Sequence, residues 1–221
     1  MQLLITIFLD GLTYASYLFI VSVGLTIVFG VLKILNVAHG AFYAWGAYAA
    51  AYAISYAADM EYADWIGFVC IFLAAAAVGV VLGMIIERVI LRHMYAQDEV
   101  LIALATFGIF LILEDVILLV FGVNPYFAYQ PMALLGRIPV GGISRDVYSF
   151  TLMALACIVA FGCWWGLTKT KWGKLISVVI YDREISQAMG INVSMVYLIV
   201  FVIGAGLGAL TEVEGHFYSE G

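Results

Sequence analysis

The chain has 221 residues, 66% of them hydrophobic and 11% charged, with a formal net charge of −6. A water-soluble domain carries roughly a quarter of its residues as charged groups, so a soluble globule is excluded. The apolar stretches are continuous and rich in Ala and Leu, without the alternation that an outer-membrane barrel requires. The fold class is therefore all-α: a polytopic helical membrane protein with about six transmembrane helices, read as one transmembrane domain over residues 1–221.

The first apolar segment runs from Leu3 to Val31, with Asp10 near its start. As one helix it would be about 43 Å long against a hydrocarbon core of about 30 Å, so it must tilt, begin outside the core, or hide a break. Next comes "KILNVAHGAFYAWGAY" (33–48), where Lys33, Asn36, His39 and Gly40 interrupt an otherwise apolar region. This pattern predicts a helix break near residues 36–40, with Asn36 and His39 bonding the backbone groups that a break frees and Gly40 permitting close backbone approach. The alternative is a short turn in water, with Lys33 at the headgroups.

A second span covers Ala41–Ala57, and the acidic run 59–64 follows. The third covers Trp65–Ile86, ahead of "ERVILRHMYAQDE" (87–99). The fourth, Val100–Gly122, carries Glu114 and Asp115. Glu114 lies about 6 Å from the bilayer midplane by helical rise. A carboxylate there must face a cavity or a partner rather than lipid; a structural hydrogen bond and a place on a translocation pathway are the alternatives. A Pro- and Gly-containing loop, 123–146, leads to the fifth span, Val147–Thr168. A polar stretch opens at Lys169, and the sixth apolar segment starts near Ser194. "AAAAVGVVLG" (74–83) and "GAGLGAL" (204–210) offer small faces for close helix packing.

Placing loops 32–40, 87–99 and 169–193 in the cytoplasm puts seven of the nine basic residues there: Lys33, Arg88, Arg92, Lys169, Lys171, Lys174 and Arg183. Arg137 and Arg145 fall outside. This orientation gives six crossings with the N-terminus outside, and no cleavable signal sequence is evident.

No nucleotide-binding loop is present, since Gly173-Lys174 is followed by Leu175 and position 168 is Thr. His39, His93 and His216 are far apart, and Cys70, Cys157 and Cys163 sit in apolar runs without metal-like spacing. The expectation is a protein that is not an enzyme, with no catalytic residues, cofactor, metal or nucleic-acid partner.

The segment 175–193 contains "YDREISQAMGIN" (181–192). Asp182 is a good N-cap and Gly190 a good residue to end a helix. Ile185, Ala188 and Met189 share one apolar face, while Arg183, Glu184 and Gln187 are polar. Two turns are marginal alone in water. The helix must dock, either on its own chain or in a groove of a cytoplasmic partner.

Three ordered stretches resemble one family. "GLTYASYLFIVSVGLTIVFGVLKILNVAHGAFYAWGAY" (11–48) is similar to the N-terminal signature of permeases of branched-chain amino acid ABC importers, with Asn36, Ala38, His39, Gly40, Gly46, Ala47 and Tyr48 matching. In "IERVILRHMYAQDEVLIALATFGIFLILED" (86–115), Glu87, Arg88, Thr106 and Gly108 fall on that family's E-R and T-x-G. "YDREISQAMGINVSMVYLIVFVIGAGLGAL" (181–210) looks like its cytoplasmic loop and following helix, with Glu184 and Gly190 at the spacing of the general importer coupling loop.

The resemblance implies a permease subunit without its own ATPase, taking up branched-chain amino acids or related small amino acids, amides or urea. Its partners would be a second permease, two cytoplasmic ATP-binding subunits and a periplasmic substrate-binding protein, with membrane lipid around it, in a bacterial inner membrane. Asp182, Arg183, Glu184, Ile185, Ala188, Met189 and Gly190 would couple it to the ATPases; Asn36, His39, Gly40 and Glu114 would border the pathway. Two features depart from the pattern. Ser186 stands where the family prefers Ala, and "GLGALTEVEG" is more acidic than the usual continuation, after which the chain reads as C-terminally truncated relative to the family. The competing readings are a stand-alone transporter or channel using Glu114 or Asp115, and a non-transporting fragment.

Overall fold

A computed structural model describes residues 2–63, 65–122, 135–140 and 143–215, without the side chains of 140, 143 and 211–215. Six long helices carry the fold: α1 (Gln2–Leu32), α2 (His39–Asp59), α3 (Ile66–Ile86), α5 (Glu99–Phe121), α6 (Val147–Lys169) and α9 (Val193–Gly215). Helix α3 continues through a π-helical turn, Glu87–Leu91, into the single turn α4 (Arg92–Met94). The shorter α7 (Lys171–Tyr181) and α8 (Arg183–Ala188) precede α9. The expected spans and the observed helices agree to within a few residues, because long apolar runs bounded by charges leave the backbone few other places to stop.

Among the described residues, five helical stretches, including Gln2–Leu32, Ile66–Met94 and Val193–Leu210, are long and apolar enough to cross a membrane. Helix α2 has 21 residues and so the length, about 32 Å, but Tyr43, Tyr48, Tyr52 and Tyr56 lower its apolarity. Tyr48 and Tyr52 meet Phe121 of α5, with centroids 5.6 and 6.1 Å away, while Tyr52 and Tyr56 remain 52% and 54% exposed.

Helix α9 is the hub, packed against α1, α2 and α3. Its small face is what permits this. A Cβ on Gly79 would lie 2.5 Å from the Gly206 Cα, and one on Gly24 2.8 Å from the Gly204 carbonyl oxygen. Gly46 is pressed as closely onto the Ala209 backbone. In lipid, where apolar burial drives nothing, such backbone approach supplies the dispersion contacts that hold helices together. Phe42 and Phe201 fill the space beside this seam, edge to face at 5.8 Å.

Helix α1 is unbroken over 31 residues, about 46 Å, and its buried residues begin only at Thr13. The residues before Thr13 are exposed or half-buried. The loop expected before α6 contains an antiparallel hairpin, β1 (Arg137–Val140) and β2 (Ile143–Asp146), in the register Arg137↔Asp146. Residues 123–134 of that loop lie outside the described residues. Arg145 ties the hairpin to α1 by pairing with both oxygens of Asp10 and donating to the Thr6 carbonyl at 3.3 Å.

Candidate functional site

Two places gather the residues anticipated from the sequence, one at the α1–α2 break and one at the α7–α8 segment.

The break spans residues 33–38, and helix resumes at His39, slightly earlier in the chain than expected. Lys33 ends α1 with a final bond to the Phe29 carbonyl at 2.9 Å and then takes φ +57°. This left-handed conformation usually falls to glycine after a helix. The partners of the freed backbone groups are not those anticipated. Thr106 of α5, fully buried, accepts from the Val37 amide at 3.1 Å. Its own hydroxyl proton goes to Ala103 O at 2.9 Å, with Leu35 O a longer alternative at 3.4 Å.

Asn36 and His39 do not bond the break. Both are buried, and neither the Asn36 amide nor the His39 ring has a hydrogen-bond partner. The Val21 carbonyl of α1 faces the His39 ring without reaching hydrogen-bond geometry. The ring is wedged against glycines: a Cβ on Gly208 would lie 3.0 Å from it, and one on Gly24 3.1 Å. Gly40 also differs from expectation. It is exposed, and a Cβ there would meet only the Phe110 ring at 3.4 Å, an ordinary contact. The close approaches belong to Gly24, Gly46, Gly79 and Gly204 instead.

Helix α5 is held to the rest by one edge. Thr106 bonds the break at one end; Trp45 Nε1 donates to Leu113 O at 3.1 Å towards the other. Its buried residues are Ile102, Thr106, Ile109 and Ile117; Phe110, Leu113 and Phe121 are half-buried, while Leu104, Leu111, Ile112, Leu118 and Leu119 are exposed. Glu114 and Asp115 lie on that exposed side. They are not brought together with Asn36 and His39, and among the described residues they line no interior.

At the other place, α6 turns sharply into α7, where Thr170 caps the helix by accepting from Gly173 N at 3.0 Å. Gly173, Ile176 and Val179 form the buried side of α7. Asp182 then caps α8, its Oδ1 accepting from Ile185 N at 2.9 Å. The helix ends with Gly190 at φ +83°, donating to Gln187 O at 3.0 Å, while Ile191 N reaches Ser186 O at 3.0 Å. This pair of bonds is the Schellman arrangement. Ser186 is the one fully buried side chain of α8, bonding Asp182 O at 2.6 Å, so the position demands a small residue. Ile185 and Met189 point away from the protein, 58% and 72% exposed, and Glu184, Ala188 and Gly190 are exposed beside them. Among the described residues, nothing covers the apolar face of α8.

Beneath α8 lies a cluster that sequence reading did not assemble. Arg183 stacks over the Tyr197 ring at 5.6 Å, Tyr197 meets Tyr95 edge to face at 5.0 Å, and the Tyr95 hydroxyl donates to Glu87 Oε1 at 3.1 Å. Burial, and then the adjacent Glu87 carboxyl, hold the Tyr95 hydroxyl far above the ordinary phenol range, so it stays a proton donor. Glu87 was visible only as a charge at the end of a span; nothing in the sequence linked it to Tyr95 or Tyr197.

The family profile described as "Branched-chain amino acid transport system / permease component" matches residues 7–212. The chain belongs to this family. It is similar to the "High-affinity branched-chain amino acid transport system permease protein BraD" of Pseudomonas aeruginosa, 26% identical over 211 residues, 92% of this chain and 68% of that protein. It is also similar to the permease proteins LivH of Salmonella typhimurium, 27% identical, and of Escherichia coli K12, 28% identical, each over 95% of this chain and 70% of the relative. No solved structure matches the chain. As a permease-family member with membrane-length helices, it is an integral membrane protein.

Proposed function

We propose that this permease is the transmembrane subunit of an ATP-driven importer for branched-chain amino acids, or for related small amino acids and amides, coupled through α8 to separate ATP-binding subunits. The observation that carries this reading is α8 itself. It is a six-residue helix capped at both ends, with Ile185 and Met189 exposed. An isolated helix that short has no stability of its own. Fixing both ends and leaving the apolar side bare costs free energy unless a partner covers that side. The partner of fitting chemistry is a groove on a cytoplasmic ATPase subunit, with Asp182, Arg183, Glu184, Ile185, Ala188, Met189 and Gly190 as the coupling segment.

The assembly contains a second permease, two ATP-binding subunits and a periplasmic substrate-binding protein in the bacterial inner membrane, with the N-terminus outside. Asn36 and His39 stand beside the pathway as unpaired polar groups, with Gly40 at the same break. Glu114 belongs to the same function from the other side of α5. A carboxylate about 6 Å from the midplane of an outward helix face cannot rest in lipid, so this face meets the second permease and the aqueous path between them.

The test is co-purification of the complex from a membrane expressing all subunits. Met189→Asp and Gly190→Val each lose the ATPase while this chain remains in the membrane. If both variants retain the ATPase and ATP-driven leucine uptake, α8 is not the coupling element.

A further inference from the structure

The exposed face of α8 explains how the chain grips a partner but not how movement of α8 reaches the spanning helices. Helix α8 packs against the adjacent α7 and lightly on α9. Its two ends are fixed by the Asp182 cap and by the turn at Gly190. One polar chain leaves it towards the membrane: Arg183 over Tyr197, Tyr197 on Tyr95, Tyr95 to Glu87.

Each member sits on a different element. Arg183 opens α8, Tyr197 lies in the first turns of α9, Tyr95 follows α4, and Glu87 begins the π turn that ends α3. Glu87 is 1% exposed. A carboxyl so buried is costly unless bonded, so the Tyr95 hydroxyl is tied to it. A π turn interrupts the regular helical ladder and is a common site of functional adjustment. Here it directly follows the C-terminal half of α3, which is locked to α9 by Gly79 against Gly206, and joins it to the cluster under α8.

We infer that Arg183, Tyr197, Tyr95 and Glu87 form a positioning relay, which transmits displacement of α8 to the π turn of α3 and so links ATPase closure to rearrangement of the helix bundle. This rests on the coupling role proposed for α8. The contacts are of kinds that transmit direction. A cation over a ring and an edge-to-face ring pair are short-range and geometry-dependent, and a hydrogen bond to a buried carboxylate leaves little freedom.

The test uses the complete complex in liposomes, with Cys70, Cys157 and Cys163 replaced by serine and one reporter cysteine. Gln187→Cys reports on α8 and Val89→Cys on the π turn, each by its rate of maleimide labelling with and without ATP. With wild-type relay residues both rates change on adding ATP, by about fivefold or more. Tyr95→Phe removes the bond to Glu87 while keeping the rings; Arg183→Gln removes the cation and, because Arg183 also belongs to the proposed coupling segment, its labelling is read only where the ATPase still co-purifies. In either variant Gln187→Cys still responds and the Val89→Cys response falls to near unity, while Arg183→Lys restores part of it. A residue serving only local stability would weaken assembly and both reporters together.

Three results overturn the relay: an undiminished Val89→Cys response in Arg183→Gln, equal loss at both reporters, or no response at Val89→Cys in the unaltered relay. Labelled leucine uptake in the same vesicles tests transport separately. ATP-dependent labelling at Val89→Cys without leucine flux overturns the substrate reading and leaves the relay standing.

Discussion

Thr106→Val isolates the contact that closes the α1–α2 break. The side chains are nearly equal in size, and the one functional loss is the hydroxyl that accepts from Val37 N at 3.1 Å. Its other bond, to Ala103 O at 2.9 Å, disappears with the hydroxyl and leaves a carbonyl already inside helix α5. The net cost is therefore that of one orphaned amide in an enclosed site, about 1–3 kcal/mol. The sign decides the matter. Replacing a buried hydroxyl that serves nothing with an apolar group of the same shape is neutral or stabilising. Reversible unfolding in mixed dodecyl maltoside and SDS micelles, followed by tryptophan fluorescence, gives the difference directly. Hydrogen exchange at the Val37 amide localises it. Thr106→Ser keeps the acceptor and retains protection of that amide. A Thr106→Val protein as stable as the parent, with the Val37 amide still protected, would refute the assignment of Thr106 as the closing group.

Asn36→Leu should act in the opposite direction. Removing a buried amide without partners stabilises the protein by about 1–3 kcal/mol in the same unfolding assay, yet lowers leucine uptake. A loss of stability would show that Asn36 serves the fold rather than the pathway. Gly79→Leu forces a side chain into the Gly206 backbone, 2.5 Å from where its Cβ must lie; the loss is at least the 1–3 kcal/mol of an overpacked core, read as a lower melting temperature in detergent. Asp182→Ala deletes the cap on Ile185 N, made at 2.9 Å, worth about 1 kcal/mol. Its signature is weaker ATPase co-purification with the melting temperature of the bundle unchanged. Asp182→Asn retains an acceptor and recovers most of the association.

The spans were legible because their determinants are local. A run of some twenty apolar residues between charged clusters, such as Trp65–Ile86, can only be a helix in a membrane. The caps of α8 were legible for the same reason, since Asp182 bonds three residues ahead and Gly190 turns the chain where it stands. The break at 33–38 announced itself through Lys33, Asn36 and His39, but its chemistry did not. The group that closes it, Thr106, is 69 residues away from Val37. Composition along one segment carries no record of such a partner.

Packing also makes the cluster under α8, which joins two pairs of near neighbours, Glu87 with Tyr95 and Arg183 with Tyr197, from distant parts of the chain. It also decided which glycines are indispensable. Gly40 and Gly79 look alike in the sequence; one faces a ring with room to spare, the other a helix backbone. By itself the sequence determined the long apolar helices, their approximate ends, the caps of α8 and the family, all of which follow from neighbours along the chain. Which polar groups pair, which are left bare, and which side of α5 and α8 is open to a partner were decided only by tertiary packing, because each depends on which helix lies alongside.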